Sequence, residues 1–535
     1  MDKIGRDEKF MPRRGKSLPL RHFFLLKIYP PNPMRKIPAT MATQHPDNAS
    51  AAYFTGKRFI SVNDEIEECV RSFSELNVEE YMWDWEGKFV DEAVIDRLFN
   101  KYHSFFSKKQ IGRDVFLTFR VPNIWLEPSH KLPRAFMSMI TAENAAKTYK
   151  MHAPPLFEVI LPMTTSADQL IYLQKTFSKI SKATKEIFEM KSDLKRIDVI
   201  PLFEKFETLP KIKSILKEYI DFLKKEYHFK PQYMRTFTAR SDTAMNSGFL
   251  PAKLFSKQAI SLYHEFGEEE NIKMYPWVGG GALPFRGGIN PENIDAVLEE
   301  YKGVATLTLQ SAFRYDYPLK EVKKAIKKLN EKIPENRKKY IKISAKEQEQ
   351  LNDFNNYVSR YFKSVIEPSA EMINHLGKKL PQNRERIQHV GLFGYSRGEG
   401  KIKLPRAIIF TGALYSLGVP PELIGQGRAL LYAKKKGMLD LIKHLCPYLI
   451  EDFRHAGHYL NRENLDLLCK KNDIWKDVRD EIKDIEKIIG VEIGQEKTSH
   501  IIHRNLTSNI YQRLITNEDF SEDAIRAAEI RKSLG

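Results

Sequence analysis

Polar side chains follow short apolar runs at five places in this 535-residue sequence. Each run is rich in β-branched or aromatic residues. The five are Arg120 after DVFLTF, Glu204 after DVIPLF, Ser241–Asp242 after YMRTFTAR, the loop GGGALPFRGG (279–288) after KMYPWV, and Arg314 after ATLTLQSAF. Barrel enzymes build their active sites from the loops that follow strands, so five such placements favour an active site.

A histidine precedes a proline near the start of the sequence, in TMATQHPDN (40–48). The residue before a proline is driven toward extended geometry, and Asp47-Asn48 favour a turn, so we predict that His45 lies in a loop. Histidine can exchange a proton near neutral pH. A single loop histidine is more often a surface or structural residue, and only the other candidate residues make His45 a candidate base.

Two carboxylates from different apolar runs, Glu204 and Asp242, could bind a hard divalent ion. Mg²⁺ and Mn²⁺ take oxygen ligands and keep water and substrate oxygens in their remaining positions. Alternatively, the pair serves as general acid and base, or caps the helices that follow. The spacing alone does not decide among these roles.

Glycines and arginines in two further segments indicate a site for an anion. In GGGALPFRGG, glycines such as Gly287 and Gly288 allow close backbone approach, and Arg286 supplies paired donors, although such a loop is as often a plain turn. Arg397 in GYSRGEGK and Arg406 before the apolar run AII add two cations, the second at a predicted helix start. The combination predicts a small, highly charged, oxygen-rich substrate such as an enol phosphate or a carboxy acid.

The apolar runs also predict the fold. Runs of strand type lie at 79–85, 114–119, 156–161, 198–203, 233–237, 273–278 and 305–310. Helix-patterned segments such as 166–188 separate most of them, which predicts an α/β fold, a (β/α)8 TIM-type barrel, with an open doubly wound sheet as the alternative. After about residue 318 the pattern is mainly helical. We therefore expect one catalytic domain over 34–535, with additional helices, mainly C-terminal, around the barrel.

The first 33 residues differ from the rest. They are basic and end in prolines, and their FFLL core is too short for an anchor and lacks a small-residue cleavage site. We expect a disordered basic extension, or a misassigned start with translation beginning at Met34.

The charge balance is compatible with several classes of partner. A formal net charge of +17 and a pI near 9.3 fit nucleic acid, a membrane surface or anionic small substrates. Basic residues are mixed with acids in runs such as 320–342, and no nucleic-acid motif is visible. No apolar run nears the roughly 18 to 20 residues of a membrane span. Three scattered cysteines, Cys69, Cys446 and Cys469, suit a reducing compartment, so we expect a cytoplasmic protein that binds neither membrane nor nucleic acid.

Six ordered motifs carry a resemblance to a known family. They are TMATQHPDN, IPLFEKF, ARSDTAMNSGF, GGGALPFRGG, QSAFRYDY and GYSRGEGKIKLPRAI. From about Met34 onward the chain resembles archaeal-type phosphoenolpyruvate carboxylase, the short form of that enzyme. The resemblance implies a barrel with extra helices, a homotetramer, Mg²⁺ or Mn²⁺ as cofactor, and irreversible carboxylation of phosphoenolpyruvate by bicarbonate to oxaloacetate and phosphate.

The resemblance also implies roles for individual residues. His45 matches a histidine that acts after carboxyphosphate has formed, and Glu204 and Asp242 match two metal-ligand carboxylates. Arg286 matches the second arginine of the glycine-rich loop of the longer enzymes, and Arg397 and Arg406 match arginines that bind substrate or intermediate anions; the resemblance implies a catalytic role for all three. Less closely, Arg120 matches a phosphate-binding arginine at the end of a strand.

Two cations of the longer family members are missing. Met245 replaces a lysine, and Gly280 replaces an arginine of the glycine-rich loop. Arg240, Lys253 or Arg314 could replace them, and we include Arg240 and Arg314 among the predicted substrate-binding residues.

Other enzymes and one other class of protein are the alternatives. Another Mg-dependent barrel lyase or phosphotransferase acting on phosphoenolpyruvate or pyruvate is the nearest. A lyase of the isocitrate type would be expected to have a reactive cysteine in a loop motif, and a phosphotransferase a nucleotide site; the sequence has neither such a motif nor a P-loop. A basic RNA- or DNA-binding protein is favoured only by the charge.

Overall fold

The computed structural model describes residues 35–126, 129–190, 192–385 and 403–535. Its strands are β1 Thr40–Ala42, β2 Glu80–Asp84, β3 Phe116–Arg120, β4 Glu158–Leu161, β5 Asp198–Phe203, β6 Tyr233–Ala239, β7 Lys273–Gly279 and β8 Thr306–Leu309. All pair in parallel with their neighbours in chain order, and β1 also pairs with β8. The sheet is therefore a closed barrel, which confirms the TIM-type fold and excludes the open sheet.

The seven predicted strands are all present, and the structure adds one that the sequence did not predict. β1 has three residues and lies at the start of TMATQHPDN. It is extended because Met41 pairs with Thr308 of β8 and with Glu80 of β2, and neither partner is near it in the sequence. His45 follows β1 in a segment without regular structure, so its predicted place in a loop is confirmed.

Helices surround the barrel and form most of the described C-terminal third. They are α1 Glu65–Ser74, α2 Val94–Lys101, α3 His103–Phe106, α4 Lys131–Thr148, α5 Ala167–Phe188, α6 Ile212–Tyr227, α7 Ser241–Ser247, α8 Phe249–Glu270, α9 Ile294–Glu300, α10 Ser311–Tyr315, α11 Leu319–Asn336, α12 Ala345–Ile366, α13 Ala370–Lys379, α14 Ala407–Leu417, α15 Gln426–Lys435, α16 Leu439–Leu445, α17 Leu449–Gly457, α18 Arg462–Lys471, α19 Ile474–Ile489, α20 Thr498–Thr516 and α21 Ser521–Ile530. The helix predicted over 166–188 is α5, and the mainly helical pattern after about residue 318 is confirmed in the part that the structure describes. The extension predicted for residues 1–33 lies outside the described residues.

A charged layer fills the N-terminal end of the barrel. Arg235 of β6 donates to Glu80 of β2 at 2.6 and 2.8 Å, to Glu158 of β4 at 2.9 Å and to Thr306 of β8 at 3.2 Å. All four side chains are buried and come from alternate strands, as in the layered interior of such barrels. This end of the barrel is thus filled by ion pairs.

The C-terminal helices form a second apolar core on α7 and α8. It includes Phe249 of α8, Phe285 of the glycine-rich loop and Phe410 of α14. α14 begins directly after Arg406, whose backbone is extended, and ends at Gly418, which has a φ of 78°. This packing brings the first residues of α14 over the C-terminal ends of the strands.

Tested by length and apolar composition, no single described helix qualifies as a membrane span. One bent pair, Ala407–Leu417 with Pro421–Lys435, passes the test jointly, with an angle of 87° between its parts.

Candidate active site

The C-terminal ends of the strands surround a cavity that brings most of the predicted site residues together. Its lining consists of His45, Glu86, Arg120, Leu202, Glu204, Phe237, Ala239, Ser241, Asp242, Gly279, Arg286, Thr308, Gln310, Arg406, Ala407 and Ile408. Six of the predicted residues are in this set: His45, Arg120, Glu204, Asp242, Arg286 and Arg406. The floor is partly apolar, formed by Leu202 and Phe237, and the charged groups lie around it.

The two predicted metal-binding carboxylates come from adjacent strands. Glu204 follows β5, and one of its carboxylate oxygens accepts from the Met163 amide at 3.0 Å. Asp242 lies in the first turn of α7, which is attached to β5 because the Thr243 hydroxyl donates to the Glu204 carbonyl at 3.0 Å. Neither is the N-cap of the element that follows, so helix capping is not their role.

The residues present fit a hard divalent ion. In the described ranges no three His, Cys, Asp or Glu side chains are close enough to hold a metal together. An ion at Glu204 and Asp242 would therefore take two protein carboxylates and fill its other positions with water or substrate oxygens. Mg²⁺ binds in this way, and Mn²⁺ accepts the same ligands.

Arg286 is buried and held from several sides. Its Nε donates to the Ser241 hydroxyl at 3.1 Å, its Nη1 to the Asp47 carboxylate at 3.1 Å, and its Nη2 to the Gln310 side chain. The Gly535 carbonyl also accepts from Nη1. Burial raises the pKa of the Asp47 carboxyl and lowers the pKa of the Arg286 guanidinium, each opposed by the charge of the other. The pair therefore fixes the arginine in one orientation at the cavity wall.

The loop that carries His45 is attached to the same wall. The ring Nδ1 lies 2.9 Å from the Thr43 hydroxyl, and the His45 carbonyl accepts from the Ser311 amide at 3.3 Å. Two residues later, Asp47 accepts from the Ala312 amide at 2.8 Å. The half-buried histidine thus faces the cavity from a segment tied to the start of α10.

Arg120 contacts two carboxylates from the segment after β2. Its Nε and Nη2 donate to the two oxygens of Asp84 at 2.9 and 2.7 Å, and its Nη1 lies 3.0 Å from Glu86. Glu86 lines the cavity, and Asp84 lies behind the arginine, outside the lining. The Arg120 guanidinium at the cavity is therefore already paired with two carboxylates.

Comparison with known proteins shows the family of this chain. A model of the phosphoenolpyruvate carboxylase family matches residues 37–535. The chain belongs to this family.

Phosphoenolpyruvate carboxylases from several organisms are similar over most of their length. One from Leuconostoc mesenteroides is 41% identical over 481 residues, covering 89% of this chain and 95% of the relative. Archaeal relatives from Picrophilus torridus and Metallosphaera sedula are 38% and 37% identical, covering 93% and 94% of this chain and 99% and 100% of the relatives. A solved malate synthase from Haloferax volcanii is similar with a TM-score of 0.34 and 10% identity, covering 64% of this chain and 95% of that chain.

Gly280 and Met245, where the resemblance implies cations in longer family members, both lie in tightly packed surroundings. A Cβ atom on Gly280 would lie 2.8 Å from the Arg286 carbonyl and 3.2 Å from the Gly287 backbone, so the loop has no room for an arginine there. Met245 is buried in the second apolar core, where a lysine would lose its hydration. A glycine at position 280 and a methionine at position 245 both fit this tight local packing.

The glycine-rich loop closes on Arg286. The Gly281 amide donates to the Arg286 carbonyl at 2.8 Å, and a Cβ on Gly281 would lie 2.7 Å from Nη1. Gly287 and Gly288, with φ of 131° and 69°, turn the chain back and do not line the cavity. Their predicted substrate contact stays a prediction.

Arg240 and Arg314 do not reach the cavity lining. Arg240 is buried behind Gly287, beside Glu300, and two of its nitrogens have no hydrogen-bond partner in the described part of the chain. Arg314 pairs with Glu68 at 3.0 Å and donates to the Thr43 carbonyl at 2.6 Å.

Lys253, the other candidate replacement, pairs with Glu300 at 3.3 Å and with Asp452. Among the described residues, the cations of the lining are Arg120, Arg286 and Arg406. Arg397 lies outside the described residues.

Four residues of the site were missed by sequence reasoning. They are Asp47, Asp84, Glu86 and Gln310. Three of them follow strands in the same way as the predicted residues, since Asp84 ends β2, Glu86 comes two residues later and Gln310 follows β8. The rule that found Glu204 was not applied at β2, and at β8 it selected Arg314, because Gln310 was counted within the predicted strand 305–310.

Proposed function

We propose that this chain carboxylates phosphoenolpyruvate with bicarbonate and releases oxaloacetate and phosphate from the cavity at the barrel mouth. One observation carries the proposal: three carboxylates, three arginines and a histidine line a single cavity in a chain of the phosphoenolpyruvate carboxylase family. The substrate carries a phosphate and a carboxylate, and the three arginines supply the complementary charge.

Glu204 and Asp242 would hold the divalent ion, Mg²⁺ or Mn²⁺. When bound, such an ion stabilises negative charge on oxygen and orients the substrate. The Met163 amide holds the Glu204 carboxylate, and the Thr243 hydroxyl joins the helix that carries Asp242 to the end of β5.

Arginines support the phosphoryl transfer. A bicarbonate oxygen attacks phosphorus, the bond between phosphorus and the enol oxygen breaks, and its electron pair remains on the pyruvate enolate, giving carboxyphosphate. Fixed hydrogen-bond donors stabilise the negative charge on the transferring phosphoryl group, and Arg286 and Arg406 supply such donors at the cavity lining. Arg286 is preorganised because Asp47, Ser241 and Gln310 already hold it.

His45 then acts as the base. It takes the proton from the carboxyl group of carboxyphosphate, the carbon–oxygen bond to phosphate breaks, and the enolate carbon bonds to the CO2 released. Nδ1 contacts Thr43, which orients the ring, and we assign the proton transfer to Nε2.

A coupled assay tests the function. Oxaloacetate is measured through malate dehydrogenase with purified chain, Mg²⁺ and phosphoenolpyruvate, with and without bicarbonate. We expect oxaloacetate only when bicarbonate is present, and ¹⁸O from labelled bicarbonate in the phosphate. Pyruvate as the sole product in both conditions would contradict the proposal and favour another barrel lyase or phosphotransferase.

The resemblance to the family also leads us to propose a homotetramer in the cytoplasm. Light scattering on the eluted peak of a sizing column tests the assembly, and a monomer at working concentration would contradict it.

A further inference from the structure

Arg120 is paired with two carboxylates, Asp84 and Glu86, in the cavity that is proposed to bind an anionic substrate. Nε and Nη2 of the Arg120 guanidinium donate to the two carboxylate oxygens of Asp84, at 2.9 and 2.7 Å. Nη1 of Arg120 forms an ion pair with a carboxylate oxygen of Glu86 at 3.0 Å. The side chains of Asp84 and Glu86 are 2% and 6% exposed, so both ion pairs are largely shielded from water. A guanidinium held in this way is already neutralised.

The two carboxylates hold Arg120 from different directions. Asp84 is outside the cavity lining and makes a two-pronged contact, which fixes the plane of the guanidinium. Glu86 and Arg120 both line the cavity, so the contact at Nη1 is on the side from which a ligand enters. A substrate oxygen that binds this side of Arg120 has to compete with Glu86.

The segment that carries Glu86 is fixed by buried lysines. Nζ of Lys131 donates to the carbonyls of Trp85 and Lys88 at 3.2 and 3.3 Å. Nζ of Lys88 donates to Gln44 at 3.1 Å and pairs with Glu65. The backbone around Glu86 is therefore held in place, so exchange at Nη1 involves the Glu86 side chain and not its backbone.

We infer that Glu86 is a competing carboxylate: it pairs with Arg120 in the empty site and is displaced by an anionic group of the substrate, whereas Asp84 is the permanent partner that positions the arginine. The inference rests on the proposed function for the identity of the substrate. Burial makes an unpaired guanidinium costly, so Glu86 stabilises the empty site. The same contact weakens substrate binding because it must be broken first. Glu86 thereby sets the affinity for phosphoenolpyruvate.

Opposite effects of two neighbouring substitutions test this inference. Glu86→Gln removes the competing charge and should lower both the KM for phosphoenolpyruvate and its dissociation constant by about threefold to tenfold. Asp84→Asn removes the positioning charge and should raise both by about tenfold or more. Glu92→Gln, which removes a half-buried carboxylate paired with Arg134, is the matched control and should change neither.

Binding is measured by calorimetry with phosphoenolpyruvate in bicarbonate-free buffer, so the result does not depend on turnover. Glu86→Ala provides a second variant with the same expected direction, and thermal unfolding confirms that each variant is folded. Weaker or unchanged binding in the folded Glu86 variants would overturn the inference. Tighter binding without carboxylation by the wild-type chain would support the inference and refute the proposed function.

Discussion

Asp47 and Arg286 form a buried ion pair across 239 residues of sequence, with 3.1 Å between Oδ2 and Nη1. The other oxygen of Asp47 accepts from the Ala312 amide at 2.8 Å, and its carbonyl accepts from the Leu534 amide at 2.7 Å. Because Asp47 follows His45 by two residues, the pair joins the histidine loop to the glycine-rich loop. The candidate base and the candidate catalytic arginine are thus positioned together.

Asp47→Asn is expected to lower kcat/KM by about 10²-fold, because the amide keeps an acceptor for Ala312 but no longer holds Arg286 by charge. Asp47→Ala loses both contacts and should also lower the melting temperature. Steady-state kinetics and thermal unfolding measure the two effects. Asp168→Asn, at an exposed position in α5, is the control. Native kinetics in Asp47→Asn would contradict the positioning role.

Loss of either carboxylate of the proposed metal site should remove both ion binding and activity. Glu204→Gln and Asp242→Asn are each expected to reduce oxaloacetate formation by about 10²-fold or more, and high Mn²⁺ should restore little. Electron paramagnetic resonance of Mn²⁺ measures binding without turnover. Glu207→Gln changes an exposed carboxylate three residues from Glu204 and should retain both properties. Normal Mn²⁺ affinity in either site variant would remove that residue from the ion site.

The cavity arginines should not tolerate lysine. Arg286→Lys and Arg406→Lys, and by motif Arg397→Lys, are each expected to lower kcat/KM by about 10²-fold, because a point charge cannot make two-oxygen contacts. Arg113→Lys tests the same exchange where the arginine is exposed and contacts Asp114, and it should have no effect. Near-native kinetics in a cavity variant would indicate that its charge alone suffices.

Replacement of His45 should separate the two chemical steps. His45→Asn is expected to abolish oxaloacetate formation and still release some phosphate in a bicarbonate-dependent reaction, with pyruvate as the other product. The reason is that the arginines act on the first step without a base, whereas the second step needs the proton moved. Phosphate, pyruvate and oxaloacetate are measured on one sample. A normal yield of oxaloacetate per phosphate would exclude His45 as the base.

A buried carboxyl under the histidine loop should make stability depend on pH. Asp316 accepts from the amides of Ala49 and Ser50 at 2.8 and 2.6 Å, and burial raises its pKa to about 7. Between about pH 4 and pH 7, the Asp316 carboxyl is protonated in the folded state and ionised in the unfolded chain. The contribution of Asp316 to the free energy of unfolding is therefore fully present below pH 4. It falls by at most about 1.4 kcal/mol per pH unit as the pH rises to 7.

Urea unfolding at pH 5 and pH 7.5 measures this dependence. Asp316→Asn should lower stability at both pH values, because an amide nitrogen cannot accept, and should reduce the difference between them. An equal pH difference in wild type and Asp316→Asn would show that other groups cause it.

Local patterns in the sequence were sufficient for most of the fold. Seven strands and the helix α5 were predicted because the spacing of apolar residues indicates which face of an element is buried. That spacing is a local property, visible in a few consecutive residues. β1 was missed because three residues carry no such pattern, and the pairing of Met41 with Thr308 is what makes them a strand. The same local rule placed Glu204 and Asp242 at strand ends, and the barrel then brought them to one cavity.

The sequence by itself determined which residue types stand at the ends of the strands, whereas tertiary structure decided which of them face the cavity. Arg120 and Arg314 both come after apolar runs, yet one lines the cavity and the other pairs with Glu68 behind it. Asp47 and Arg286 are separated by 239 residues, and nothing near either one in the chain indicates their contact. The physical reason is that the direction of a charged side chain depends on where its counter-charge and its water are, and in a barrel both are set by segments distant in sequence.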